Sequence, residues 1–277
     1  MNGIGPYNEN SDYPYSEDNT PSIVNKNFTE SEYYEVRNSS VAKITGVFQA
    51  HINNNSDNDE FKQLIMDYGA ASLSYNENYT DNKFGEDGSS YYYNPNENTS
   101  NHAVTVVGWD DSIPASAFKT TPAGDGAWLI KNSWGEYSRD NGYFWLSYEE
   151  PSICDVYAFE LEKNTKYDTN YQYDGFGWGS AIPDTTSPKG ANIFRVRSDY
   201  NQNLKAVGIY TITDAQNVTI QIYKNVTSGY PTSGKLVKAS TTTASIPYNG
   251  FHTITLAKPA ALTGGSSFSC LLYTSPS

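Results

Sequence analysis

The sequence of 277 residues is poor in cysteine, in basic residues and in long apolar runs. Two cysteines are too few for a disulfide framework, so the chain must be stabilised by hydrophobic cores. No apolar run approaches the roughly 20 residues that a helix needs to cross a bilayer, so we expect no transmembrane segment. No signal peptide opens the chain, but a missing N-terminus would remove one, so this absence does not bear on secretion.

The balance of basic and acidic residues differs between two parts of the chain. Residues 1–165 hold 9 Lys plus Arg and 26 Asp plus Glu, a net charge of −17. Residues 166–277 hold 9 and 5, a net charge of +4, and they contain no Glu. This change predicts a domain boundary near residues 160–166. The acidic excess is typical of a solvated surface, and we expect no nucleic-acid partner.

The first part mixes helical and strand patterns. Residues 57–68 place apolar side chains at helical spacing behind acidic residues, and Gly69 ends the predicted helix. Four short segments are predicted to be strands, namely residues 70–75, 101–109, 127–131 and 142–148. These patterns predict an α+β fold for the first part.

The second part alternates apolar with polar residues and is predicted to be an all-β sandwich. The predicted strands are residues 191–197, 204–212, 218–223, 236–238 and 251–256. The aromatic segment 167–178 has two interpretations, interface packing or a stacking surface for sugars. Residues 271–277 do not continue the strand pattern that begins at Ser267, so we expect this domain to be incomplete at its C-terminus.

Two short β-rich runs each carry one polar side chain suited to proton chemistry. His102 opens the run 102–109, and Asn132 follows the run 127–131, 30 positions later, with Trp134 beyond it. We expect Asn132 to accept the ring N–H of His102 at roughly 2.6 to 3.2 Å. The alternatives are a structural histidine, a turn-forming asparagine and a tryptophan of the core.

These two segments resemble the histidine and asparagine segments of papain-like cysteine proteases. In that family a thiolate attacks a peptide carbonyl, a histidine shuttles the proton, and an asparagine oxygen holds the imidazole in the right tautomer. The resemblance implies that His102 and Asn132 are catalytic, and that Trp134 shields their hydrogen bond on the leaving-group side of the cleft. The spacing exceeds the usual one, and we interpret residues 110–126 as an inserted surface loop. With this insertion the chain is similar to a bacterial secreted or cell-wall-associated subgroup in which a lectin-like β domain follows the protease.

The nucleophile of that family is absent from this sequence. No cysteine precedes His102, and neither Cys154 nor Cys270 matches the nucleophile motif, which lies well upstream of the histidine. The glutamine of the oxyanion hole would lie upstream too. We therefore interpret residues 1–163 as a partial peptidase domain without its nucleophile helix, with Met1 internal or a late start, and residues 164–277 as the lectin-like domain.

Alignment to the family pattern places Ser74 and Ala103 in the main specificity pocket. Small residues there would accept a bulky apolar side chain of the substrate, although both could also be ordinary core. His51 and His252 are interpreted as structural or solvated. No second ligand type clusters beside His51 with metal spacing, so we expect no metal and no cofactor.

The leading hypothesis is a fragment of a cysteine endopeptidase that is inactive as given and acts, when complete, on a protein or peptide substrate. We expect an extracellular or cell-surface location, with a cell-wall polymer or glycan as a partner of the β domain. The alternative is a non-catalytic surface-binding or adhesion protein that kept the protease lobe as a scaffold. An intact pair of His102 and Asn132 favours the enzyme, since a scaffold has no reason to keep both.

Overall fold

The computed structural model describes residues 3–4, 42–50, 52, 58–135, 139–163, 167–173, 189–197, 200–214 and 216–275. The chain groups into two compact units. The central unit is Val47–Phe159, and the flanking unit combines Met1–Gly46 with Glu160–Ser277.

The central unit is a strand-rich sheet with one helix of regular length. Its helices are α1 (Asp59–Tyr68) and the single turn α2 (Arg139–Gly142). Its own strands are β3 (Ala71–Tyr75), β4 (Asn82–Phe84), β5 (Ser90–Tyr92), β6 (His102–Asp110), β7 (Ala127–Lys131) and β8 (Tyr143–Ser147). Strand β1 (Gly3–Ile4) pairs with β2 (Ala42–Gln49), and β2 and β9 (Cys154–Glu162) each run from one unit into the other. The strand order is β9-β3-β6-β7-β8-β5-β4, in which only the β5–β8 pair is parallel.

Helix α1 forms where its sequence pattern predicts it. Phe61, Leu64 and Ile65 are buried on one face, and the first turn carries acidic side chains that suit the positive end of the helix dipole. Gly69 ends the helix in the left-handed conformation, with φ of 84° and its N–H bonded to the carbonyl of Ile65. The helix packs onto the sheet through Phe61, whose ring meets the buried Trp128 edge-on at 4.5 Å. The predicted helix of residues 57–68 and the four predicted strands of this unit are confirmed to within two residues.

The segment between β6 and β7 differs from the predicted surface loop. Most of its side chains are exposed, but Phe118 is only 2% exposed and its ring packs edge-on against Tyr91 at 5.8 Å. Lys83 also donates to the carbonyl oxygen of Ser116 at 2.7 Å. The segment is therefore anchored to the sheet by one aromatic side chain. An aromatic ring has a lower free energy when it is buried than when its large apolar surface is exposed to water.

The flanking unit is the predicted β-sandwich. Its strands are β10 (Lys189–Arg195), β11 (Gln202–Thr211), β12 (Gln216–Lys224), β13 (Lys235–Leu236), β14 (Thr242–Ile246), β15 (Gly250–Leu262) and β16 (Ser267–Ser275). Strand β11 pairs with β15, whereas β10, β16, β12 and β13 form a second sheet in which β14 also pairs with β12. Both layers contribute to an aliphatic core of Ile209, Val218, Ile220, Ile222, Ile246, Ile254, Leu256 and Ala260. Strand β14 has no counterpart among the predicted strands.

The C-terminal strand corrects one prediction. Strand β16 continues to Ser275 and pairs with β10 on one side and β12 on the other, with Leu271 opposite both Ala191 and Gln221. The expectation that residues 271–277 break the strand is therefore wrong as far as Ser275. The pairing with a strand on each side fixes this segment as a strand although its sequence does not alternate.

Candidate active site

Two neighbouring strands bring His102 and Asn132 together. His102 begins β6 and Asn132 directly follows β7, and the two strands are antiparallel with Thr105 opposite Lys131. The start of one strand therefore lies beside the end of the other. The ring nitrogen Nε2 of His102 is 2.9 Å from the side-chain oxygen Oδ1 of Asn132, within the range expected from the sequence.

Asn132 is oriented by its own neighbours. The backbone N–H of Ser133 donates to Oδ1 at 2.8 Å, so the amide oxygen, and not the NH2 group, lies at this position. The backbone N–H of Asn132 donates to the carbonyl of Gly142 at 2.8 Å. Gly142 has φ of +90°, and a Cβ there would lie 3.1 Å from the carbonyl oxygen of Gly135, so glycine suits this turn. Oδ1 thus accepts the proton on Nε2 and leaves Nδ1 as the nitrogen that can face a nucleophile.

Two aromatic rings contact the imidazole. Trp134 stacks on His102 with ring centroids 4.9 Å apart and planes 26° apart. Tyr75, which is fully buried, lies on the neighbouring strand opposite His102 with its ring centroid at 5.9 Å. Trp134 remains 48% exposed, so it is not a core residue and covers the imidazole at the surface of the unit.

Asn101 ties the start of β6 to the end of β3, a role that sequence reasoning missed. Its backbone N–H donates to the carbonyl of Tyr75 at 3.0 Å, and its side-chain oxygen accepts the N–H of Glu77 at 2.7 Å. Its side-chain NH2 returns to the carbonyl of Glu77 at 3.2 Å. The one signal in the sequence is the position of this asparagine directly before His102.

Glu150 is a second residue that the sequence did not single out. Its fully buried carboxylate accepts the N–H of Asn94 at 2.7 Å and the N–H of Ser152 at 3.3 Å, and Ser152 also donates its hydroxyl to it. The hydroxyl oxygen of Ser152 in turn accepts the N–H of Asn76 at 2.8 Å. Burial raises the pKa of Glu150 above its ordinary value, against the hydrogen bonds that lower it. This network fixes the segments that follow β3, β5 and β8.

The two predicted pocket residues lie side by side. Ser74 of β3 is directly opposite Ala103 of β6, and Cys154 of β9 is opposite Ser74 on its other edge. Ala103 is exposed and Ser74 is half-buried, so neither is ordinary core.

Neither cysteine is placed to act with His102. Cys154 lies on β9, two strands from β6, and its exposed thiol contacts the hydroxyl of Ser100 at 3.2 Å; no contact between this thiol and His102 is found among the described residues. Cys270 belongs to the flanking unit, where burial raises the pKa of its thiol to about 12. His252 is buried, its Nε2 lies 2.9 Å from the carbonyl of Tyr248, and burial lowers its pKa. His51 lies outside the described residues.

A histidine oriented by an asparagine at adjacent strand ends, on a β-rich lobe followed in the chain by a β-sandwich, defines the class of cysteine-peptidase-like proteins with an accessory β domain. The chain belongs to the papain family of cysteine proteases. The model of this family, described as Papain family cysteine protease, matches residues 3–163. Residues 170–277 match the family described as Lectin like domain.

Two solved structures match most of this chain in fold. Clostridial cysteine protease Cwp84 after propeptide cleavage matches with a TM-score of 0.68 and 24% identity, over 84% of this chain and 55% of that one. The cysteine protease and lectin-like domains of Cwp84, a surface layer associated protein of Clostridium difficile, match with a TM-score of 0.61 and 23% identity, over 84% and 50%. This chain spans about half the length of those chains, and at such identities the likeness is one of fold.

A curated relative matches a much smaller part of this chain. Serine-repeat antigen protein 5 of Plasmodium falciparum is 33% identical over 58 residues, which are 21% of this chain and 5% of that protein. In the part of the chain that the structure describes, no helix has both the length and the apolar character to cross a membrane.

Proposed function

We propose that this chain is the histidine–asparagine part of a cysteine endopeptidase that hydrolyses peptide bonds by a Cys–His–Asn mechanism. The contact of 2.9 Å between Nε2 of His102 and Oδ1 of Asn132 is the observation that carries this proposal. The thiolate would come from a cysteine that this sequence does not contain, since neither Cys154 nor Cys270 matches the nucleophile motif or contacts the imidazole in the described residues.

In this mechanism Nδ1 of His102 takes the thiol proton and forms an imidazolium beside the thiolate. The thiolate attacks the peptide carbonyl, the C–N bond breaks, and the imidazolium returns its proton to the leaving amine. His102 then takes a proton from the water that hydrolyses the acyl-enzyme. Asn132 keeps the ring in the one orientation that serves both steps, because its oxygen accepts from Nε2 in the neutral and the charged ring alike.

Three further residues would act on the substrate side. Trp134 would limit the access of water to the bond between His102 and Asn132, since its ring covers one face of the imidazole. Ser74 and Ala103 would line a pocket for a bulky apolar side chain, because both are small, adjacent and accessible.

The β-sandwich would bind a cell-wall polymer or glycan and hold the enzyme outside the cell or at its surface. Its match to a lectin-like family supports the ligand class, and the surface-layer association printed for one similar structure supports the location. We place the two domains at residues 1–163 and 164–277. The second candidate function is a non-catalytic surface-binding or adhesion protein that keeps the protease lobe as a scaffold, supported by the match to the lectin-like family.

The decisive experiment measures steady-state peptide hydrolysis by a longer protein that carries the nucleophile cysteine. We expect His102→Ala to abolish turnover because the base is gone. Asn132→Ala should lower kcat by about tenfold to a few hundredfold with KM little changed, because orientation matters mostly in the transition state. Lys131→Ala, at an exposed neighbouring position, is the matched control and should leave kcat unchanged.

Near-wild-type kcat for both His102→Ala and Asn132→Ala would show that neither belongs to the site. The chain of residues 1–277 alone should give no turnover in an active-site titration, because removing a triad member leaves little catalysis. Titratable turnover by that chain would overturn the proposed origin of the thiolate.

A further inference from the structure

Two lysines of the flanking unit face each other across a strand pair. Lys224 ends β12 and Lys235 begins β13, and the antiparallel register places them directly opposite. Side chains directly opposite in such a pair lie on the same face, and like charges there are destabilising. In the described residues neither lysine forms a salt bridge with an acidic side chain. The pair therefore concentrates positive charge without internal compensation.

A shallow polar pocket lies beside Lys224. Its volume is about 200 Å³, and Asn201, Gln202, Asn203 and Thr263 line it together with Lys224 and two apolar residues. The volume is below the roughly 300 to 1,000 Å³ of clefts for drug-sized ligands, which suits a group of about one ring. Amide NH2 groups, a hydroxyl and an ammonium supply hydrogen-bond donors, and no Asp or Glu is among the described lining residues.

One donor of the pocket lining is unsatisfied. The side-chain oxygen of Gln202 accepts the hydroxyl proton of Tyr171 at 2.7 Å, which orients the amide. Its Nε2 is buried and has no hydrogen-bond partner among the described residues. Because this nitrogen is out of contact with solvent, the proposed ligand contacts fall on the other polar side chains of the lining.

The ammonium of Lys224 is held at the wall of the pocket. It donates to the carbonyl of Ala261 at 3.0 Å, which leaves two N–H groups for a ligand.

We propose that this pocket binds an anionic saccharide unit, with its carboxylate or phosphate at Lys224 and Lys235 and its hydroxyl groups on the side chains of Asn201, Asn203 and Thr263. An anion relieves the repulsion between the two lysines, and a polyhydroxylated ring matches the amide and hydroxyl lining. This inference rests on the proposed glycan binding by the β-sandwich and names the site and the charge of the ligand.

The test is binding of defined saccharides to residues 1–277, followed by two-dimensional NMR and calorimetry. Tetragalacturonate is the carboxylate probe, its methyl ester is the neutral control, and glucose 6-phosphate is the phosphate probe. We expect at least one anionic probe to shift the amide signals of Asn201, Asn203 and Thr263, and the ester to bind more weakly. Binding should weaken with added salt, because the pocket is exposed. The stronger of the two anionic probes identifies the anionic group.

Lys224→Met and Lys235→Met should each weaken the anionic probe by about tenfold, as expected for the loss of one charged donor. Lys258→Met, at an exposed lysine outside the pocket, is the matched control and should leave affinity unchanged. Equal binding of tetragalacturonate and its ester, or equal effects of Lys224→Met and Lys258→Met, would overturn the proposal. So would saccharide binding that shifts other surfaces only, yet that result would leave the lectin-like function and the peptidase proposal intact.

Discussion

The two units differ in whether certain polar side chains have partners within the protein. In the central unit the carboxylate of Glu150 is buried and fully engaged, and Asn101 bonds both sides of its amide to neighbouring backbone. In the flanking unit half-buried Lys224 and exposed Lys235 lie on one face with no acidic partner in the described chain. The first arrangement ties together the loops around the strand of His102, whereas the second leaves positive charge available for the ligand that we propose.

The cores differ in the same direction. Aromatic side chains dominate the centre of the central unit, where Phe61, Tyr75, Tyr92, Trp128 and Phe144 are at most 2% exposed. The main core of the flanking unit is aliphatic, and its aromatic residue Phe268 belongs to a smaller cluster with Val196 and Leu262. Interlocking rings leave few alternative packings, which suits a unit that must hold His102 and Asn132 in register.

The largest expected effect separates these two cores. Phe61→Ala should lower the free energy of unfolding by about 3 to 5 kcal/mol, because Phe61 is fully buried against Trp128 and the cavity cannot collapse easily. Phe268→Ala should cost about 3 kcal/mol, because its neighbours Phe194 and Tyr171 are partly exposed and can move into the space. Urea unfolding of both variants measures the difference, and a cost for Phe268→Ala above that for Phe61→Ala would contradict the comparison.

Glu150 sharpens the comparison through pH. Glu150→Gln places an amide NH2 group, a donor, against the backbone N–H of Asn94 or of Ser152. Two donors that face each other cannot bond, so in acid we expect the variant to lose about 1 to 3 kcal/mol of unfolding free energy. The pKa of Glu150 in the folded protein lies above its ordinary 4.5, so the native state holds the proton more tightly than the unfolded chain. Wild-type stability from this group is therefore full below pH 4.5 and declines as the pH rises through the folded pKa.

The difference in stability between wild type and Glu150→Gln should consequently shrink as the pH rises through that window. Urea unfolding at a series of pH values measures it, with Glu149→Gln at the half-buried neighbouring position as control. A difference that grows with pH, or the same behaviour in Glu149→Gln, would remove the assigned role of the buried carboxylate.

The smallest effect concerns the boundary between the two regions. Limited proteolysis should cut between about residues 161 and 179, where the charge composition changes and the apolar pattern lapses, and it should leave two separate fragments. Rapid cutting inside Val218–Tyr223, in the middle of β12, with protection of residues 161–179 would place the boundary elsewhere.

The sequence predicts features that local patterns encode. Helix α1, strand β7 and the positions of His102 and Asn132 at strand ends follow from side-chain periodicity within a few residues. The network of Glu150 depends instead on the parallel pairing of β5 with β8, strands that lie far apart in sequence, and no local pattern reports it.

The flanking unit was predictable to a lesser degree. Its sandwich class follows from alternation, but the meeting of Lys224 with Lys235 is set by the turn between β12 and β13 and by the register it imposes. Strand β14 reads as a run of Thr, Ala and Ser, and its place in the sheet is decided by pairing with β12. Tertiary pairing therefore determines the features that were missed.

The central claim is that His102 and Asn132 act as one oriented pair, and the protonation of the imidazole tests it most directly. Nitrogen-15 NMR of residues 1–277, with His102 assigned by the loss of its signals in His102→Ala, reports which ring nitrogen holds the proton. The account predicts that, in the neutral form of the ring, the proton is on Nε2 and donated to Oδ1 of Asn132, with a mixture of both tautomers in Asn132→Ala. A wild-type ring with its proton on Nδ1, or a tautomer unchanged by Asn132→Ala, would contradict it.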